Sequence, residues 1–157
     1  MLAKINGWID ETLDDFAREM VACKCFAADF REYYKPEFLA ASYYVVVPQL
    51  PKPDFPELRQ LGFGDLIDAD FNGITYKNTY FVKQGKERNL NLHFHELVHV
   101  VQWQILGAEA FILRYMDEIL RYGYEDAPLE KMVYALEDHF VKGNPPLDIR
   151  THVQQKI

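Results

Sequence analysis

Residues 90–106 read LNLHFHELVHVVQWQIL and run straight into Gly107. At about 100° of turn per residue, Phe94, Leu97, Val98, Val101 and Ile105 share a single apolar arc, as in a helix packed on a core. His95, His99, Gln102 and Leu106 form a second cluster, with Glu96 and Trp103 just beside it. A solvated face would carry Lys, Arg, Glu or Asp, and apart from Glu96 this one carries none. The spacing therefore predicts a helix with two working faces. One packs on the core, and the other, bounded by Trp103 and Leu92, looks into a cleft. Gly107 supplies the stop expected just past a helix end.

Two further helices are expected on the C-terminal side, Ala108–Tyr122 ending at Gly123 and Pro128–Lys142 ending at Gly143. Beyond them Pro145-Pro146 suggests a loop. Upstream, GITYKNTYFVK (73–83) suits a hairpin turning at Lys77-Asn78 or one long strand, and the hairpin is favoured. SYYVVV (42–47) is β-branched, aromatic and uncharged, a buried strand stopped by Pro48. Pro51, Pro53 and Pro56 make a stiff loop after it. From Ile9 to Tyr34, Leu13, Phe16, Met20, Cys23 and Ala27 recur at helical spacing, which predicts one long amphipathic helix broken at Lys35-Pro36. The expectation is a helix-rich α+β chain forming one domain over 1–157. Its parts are an N-terminal helix in 1–35, a small sheet with loops in 41–83, and helices in 90–142.

Composition narrows the function. The 157 residues are 49% apolar and 26% charged, which fits a packed domain rather than a disordered chain or a coiled-coil rod. Aromatics at 15% imply a bulky core with amphipathic Tyr at a cleft or interface. A formal charge of -7 with no Lys/Arg run disfavours nucleic acid. The uncharged run from Phe38 carries Pro48 and is too short to span a hydrocarbon layer of about 30 Å. The opening MLAKINGWIDETLDDF lacks the layout of a secretory signal, so a cytoplasmic location is expected. Cys23 and Cys25, one residue apart, cannot staple the fold and are expected to be reduced helix residues.

The chemistry sits at His95-Glu96-Leu97-Val98-His99. With 5 His in the chain, an H-E-x-x-H pattern arises by chance about 0.01 times per sequence of this composition. Residues four apart lie on one helical face, so both imidazoles can reach a single ion at about 2.0–2.1 Å, with Glu96 beside it. Catalytic zinc sites take three protein ligands, so a third must come from elsewhere. In the helix from Pro128, Leu129, Met132, Val133, Leu136 and Phe140 share the apolar arc, and Glu130, Tyr134 and Glu137 line the adjoining face. Glu130 is the candidate third ligand, completing a His2Glu set. Glu137 comes next, and Glu125, Asp126 and His139 stand behind. A carboxylate in a first helical turn is also what the helix dipole favours, so Glu130 has a purely structural alternative. His93 points about 160° away from His95 and is expected to cap or pack.

HELVHVVQWQILG followed by GYEDAPLEKMVYALE resembles the zincin metallopeptidases, within them the minimal gluzincin type, over roughly residues 73–140. It is similar to small zincin-like families reading HELxHxxQ and then PLExxA, although Val133 stands where Ala is usual. No N-E-x-x-S-D sequence is present. The resemblance implies zinc on His95, His99 and Glu130, with Glu96 as general base. It also implies an edge strand pairing with an extended peptide, for which Thr79–Lys83 is the segment to suspect, alongside its reading as an ordinary core strand. The expected reaction is hydrolysis of an amide in a peptide or protein: zinc lowers the pKa of its water to about 7, and Glu96 moves the proton to the leaving amine. Tyr134 is the candidate oxyanion donor, with Tyr76, Tyr115 and Tyr122 as substitutes. The main alternative is a catalytically silent zincin-fold module that binds zinc and a partner. Glu96 argues against it, since structural zinc sites close with four protein ligands and prefer Cys. A hydrolase of another bond and a metal-free helical domain are further alternatives.

Overall fold

The computed structural model describes residues 1–157. In chain order its α-helices are α1 (Leu2–Asp15), α2 (Pro36–Ala40), α3 (Pro56–Leu58), α4 (Gly64–Asp68), α5 (Leu90–Leu106), α6 (Ala108–Tyr122), α7 (Pro128–Val141) and α8 (Ile149–Lys156). The strands β1 (Val21–Ala22), β2 (Tyr43–Val47), β3 (Gly73–Tyr76) and β4 (Thr79–Lys83) form one sheet in the order β1-β2-β4-β3. The chain is thus helix-rich with a small mixed sheet, an α+β arrangement. No helix is long and apolar enough to cross a membrane.

β2 and β4 pair in parallel at the centre, Tyr43 opposite Thr79 and Val47 opposite Lys83. β3 and β4 form the hairpin read from the sequence, with Lys77 of its two-residue turn at φ 60°. Successive strand residues face opposite ways. Tyr80 and Val82 join Phe94, Leu97, Val101, Val133 and Ile149 in one apolar core, while Val45, Val47 and Phe81 join Ile5, Ile9, Phe111 and Ile112 in a second. Asn89 caps α5 by accepting from the Asn91 and Leu92 backbone N–H groups, and Gly107 ends it at φ 83°. From His93 to Trp103 every residue of α5 is buried.

Two sequence expectations need correction, the long N-terminal helix and the α-helical setting of the cysteines. The long N-terminal helix does not form. α1 starts at Leu2 and stops at Asp15, and residues 17–26 make 3-10 turns around β1. There the Cys23 N–H donates to the Ser42 carbonyl at 2.8 Å, and β1 pairs with β2. Sheet pairing, with the burial of Phe26, Phe30, Tyr33 and Tyr34, outweighs a helical periodicity that had no partner surface of its own. Cys23 and Cys25 are free, in a 3-10 turn rather than an α-helix. Pro145-Pro146 do lie in a loop, and after it Asp148 accepts from the Thr151 N–H at 3.0 Å to start α8, a helix not expected from the sequence, which buries Ile149 and Val153 completely. Of the two readings of Thr79–Lys83, the core strand holds and the edge strand does not: it is paired on both sides, and the edge beyond it is β3.

The proline-rich stretch folds over the sheet end. Lys52 Nζ donates to the Ile67 carbonyl at 2.9 Å and to the Ala69 carbonyl, holding the end of α4. Gly62 takes φ 107° in the turn between α3 and α4, where a β-carbon would also lie 3.3 Å from Leu120. A side chain would be strained there on both counts.

Candidate metal centre

Two elements supply the centre. α5 presents His95, Glu96 and His99, and the first turn of α7 presents Glu130; all four are buried. Pro128 opens α7, but Ala127 at its N-cap offers no side-chain acceptor. The neighbouring helix supplies one: buried Glu118 of α6 accepts from the Leu129 N–H at 2.7 Å. A carboxylate there satisfies an orphan donor and suits the helix dipole. Gln102 of α5 grips the same residue from the other side, its Nε2 donating to the Leu129 carbonyl at 3.0 Å. The backbone next to Glu130 is therefore tied to both flanking helices.

One ligand atom from each of His95, His99 and Glu130 lies within 4.8 Å of the others, close enough to hold a single metal ion. Each side chain is braced from outside. The His99 Nδ1–H donates to Gln102 Oε1 at 2.9 Å, and His95 Nδ1 donates to Glu137 Oε1 at 2.9 Å. These bonds leave Nε2 of both rings facing Glu130, whose Oε1 is 3.0 Å from His99 Nε2 and 3.8 Å from His95 Nε2. The Tyr115 hydroxyl donates to the other oxygen of Glu130 at 2.8 Å. Outer hydrogen bonds that fix the tautomer and orientation of ligand imidazoles are the usual support of a metal site. Two imidazoles and a carboxylate are a donor set that zinc accepts.

Without an ion the cluster behaves as a buried ion pair. Burial works to lower the basicity of His99, but the charge and hydrogen bond of Glu130, aided by Glu96 and Gln102, outweigh it and push the pKa up to about 9. Burial likewise works to raise Glu130, and the His99 charge and hydrogen bond with His95 and Tyr115 hold it below the usual carboxylate range. Glu96 differs. Its burial dominates and raises its pKa, against the pull of the two imidazoles.

Glu96 is held by β3. Thr75 Oγ1 donates to Glu96 Oε1 at 3.0 Å, and Glu96 Oε2 lies 3.9 Å from His95 Nε2. Gly73 leaves the room: a β-carbon there would stand 3.1 Å from Cγ, Cδ and Oε2 of Glu96. A cavity of about 570 Å³ opens on this group, and Glu96, Thr75, Gly73, Tyr124 and Tyr134 line it.

The residues singled out in the sequence separate clearly here. His95, Glu96, His99 and Glu130 come together. Glu137 braces His95, and His139 donates from Nε2 to the Pro145 carbonyl at 2.8 Å, away from the cluster. Glu125 and Asp126 are exposed in the loop before α7. His93 is a packed core residue, its Nε2–H donating to the Glu87 carbonyl at 2.8 Å while Nδ1 accepts from the Tyr80 hydroxyl at 2.6 Å. Tyr134 lies in the cleft, its ring 4.7 Å from that of His95 and its hydroxyl 3.0 Å from the Tyr124 hydroxyl. Two of its three substitutes are committed elsewhere, Tyr76 to the Pro51 carbonyl and Tyr115 to Glu130. Tyr122 is exposed and lies outside the cavity lining.

Sequence reasoning missed the bracing roles of Gln102, Tyr115, Glu137 and Glu118 and the part played by Thr75. Gln102 was within reach, since it follows His99 by one turn on the same face. The others depend on which elements become neighbours. Compared with protein-family models, curated proteins and solved structures, the chain matches none.

Proposed function

We propose that the protein is a zinc-dependent hydrolase of the zincin type that cleaves peptide bonds in a cytoplasmic peptide or protein substrate. One observation carries the reading: beside a braced three-ligand cluster stands a second acid, Glu96, that holds no ligand position and faces a cavity. A structural metal site has no use for it.

Zinc held by His95, His99 and Glu130 would supply Lewis acidity and bring a water pKa down to about 7. Glu96 takes the proton of the attacking water and returns it to the leaving nitrogen. Burial raises its pKa above the ordinary carboxylate value, which makes it a stronger base for the first transfer. Thr75 holds the carboxylate in place. The Tyr134 hydroxyl, paired with Tyr124, donates to the oxygen that gains charge. β3 is the sheet edge that lines the cavity, and it offers unpaired backbone groups to an extended substrate. The free thiols Cys23 and Cys25 fit a reducing compartment.

The test is Glu96→Gln against a peptide library, with bound zinc measured in parallel. Unchanged zinc content with turnover lost supports the hydrolase. Full activity in the variant rejects Glu96 as base, and zinc binding without turnover in the unmodified protein favours a silent binding module.

A further inference from the structure

The second apolar core is not closed by the protein's own side chains. Ile5, Ile9, Leu58, Phe63, Phe111 and Ile112 all belong to it, and all line the cavity of about 570 Å³ that also reaches His95, Glu96 and Glu130. Interiors normally pack without such voids. An apolar cavity of about 150 Å³ takes one benzene ring, and the cleft here, which spans the metal ligands as well as the apolar walls, has room for a longer group.

The polar inventory of the walls narrows its chemistry. A length of peptide inserted here would bury N–H and C=O groups that each require a partner. The hydroxyl protons of Tyr76 and Tyr115 on the inner walls are already committed, to the Pro51 carbonyl and to Glu130, so neither can donate to a buried substrate C=O. One buried side-chain donor on these walls has no partner. Trp103 lines the cavity, is 5% exposed, and its Nε1–H is buried with no hydrogen-bond partner. A buried indole N–H ordinarily finds an acceptor.

Resting on the hydrolase reading above, we infer that the substrate amide carries one elongated hydrocarbon group, of the kind found in a medium-length acyl chain. This group passes the metal ligands into the second core, beside the Trp103 indole. The polar part of the substrate stays at the mouth, against β3.

Isothermal titration tests the cavity and the metal separately. The probes for the cavity are n-alkanols from butanol to decanol, which carry no strong metal ligand. The expected result is saturable one-to-one binding that tightens about fourfold per added methylene until the cavity is full. Met116→Trp and Leu66→Trp each place a larger side chain on the cavity lining, and either should abolish the chain-length dependence. On zinc-loaded protein, alkyl hydroxamates from acetyl to decanoyl should show the same dependence, and in both variants acetohydroxamate should bind as before. Affinity independent of chain length, or unaffected in both variants, overturns the inference and leaves the metal reading intact. Failure of the protein to take up zinc while alkanols still bind overturns the hydrolase and, with it, the assignment of the group to an amide substrate.

Discussion

Replacing Gln102 with Leu should weaken both the fold and its hold on zinc. Gln102 is fully buried and makes two directional bonds, accepting from His99 Nδ1–H at 2.9 Å and donating to the Leu129 carbonyl at 3.0 Å. Leucine fits the volume approximately but supplies neither. Each of the two buried polar groups left without its partner costs about 1–3 kcal/mol, so ion-free stability should fall by about 2–6 kcal/mol. The effect on zinc has a different origin. In the ion-free protein His99 is protonated at neutral pH and donates from both nitrogens; on metal binding Nε2 loses its proton while Nδ1–H keeps its bond to Gln102. Gln102 thus sets the ring plane in both states, and loss of such an orienting partner lowers metal affinity about 10–100-fold. Denaturant unfolding of the ion-free protein gives the first quantity, and competition with a calibrated chelator gives the second. A variant that stays within 0.5 kcal/mol (about the scatter of surface substitutions) and keeps zinc affinity within about twofold would refute the bracing argument.

Zinc uptake should depend on pH through His99. Below its pKa of about 9 a proton competes for Nε2, so affinity should rise about tenfold per pH unit towards that value and level off above it, with about one proton released at pH 7. Calorimetry in buffers of different ionisation enthalpy counts that proton. The same raised pKa means that the His99 contribution to ion-free stability is complete below about 6.5, the unfolded value, and is lost as pH rises through about 9. Native labelling with a thiol reagent should modify Cys25 alone. Cys23 is buried and burial pushes its pKa up to about 12, so a second label should appear only on unfolding. Ile149→Ala should cost about 2–5 kcal/mol in thermal or denaturant unfolding, because α8 is part of the first core.

Much of this molecule follows from patterns a few residues long. The periodicity of residues 90–106 places His95, Glu96 and His99 together, because positions three and four apart share a face of any α-helix. Gly107, Gly123 and Pro128 mark their helix ends, and the turn at Lys77-Asn78 sits between two β-rich runs. Glu130 was legible for the same reason, as the first polar residue of the non-core face of α7.

Contacts between distant segments were beyond that reach. The periodicity of residues 9–34 is helical, yet β2 had an open edge and Phe94 had an aromatic shell to complete, and those demands lie outside the segment. Thr79–Lys83 and Gly73–Tyr76 are alike in sequence; only the parallel pairing of β2 with β4 makes one interior and leaves the other at the edge beside Glu96. Thr75, Tyr115, Glu118 and Glu137 are ordinary residues until folding sets each within 3.0 Å of the group it holds. Local spacing determines which side chains share a helix face, whereas hydrogen-bond partners and cavity walls are settled by the packing of whole elements, where the free energy of burial is collected.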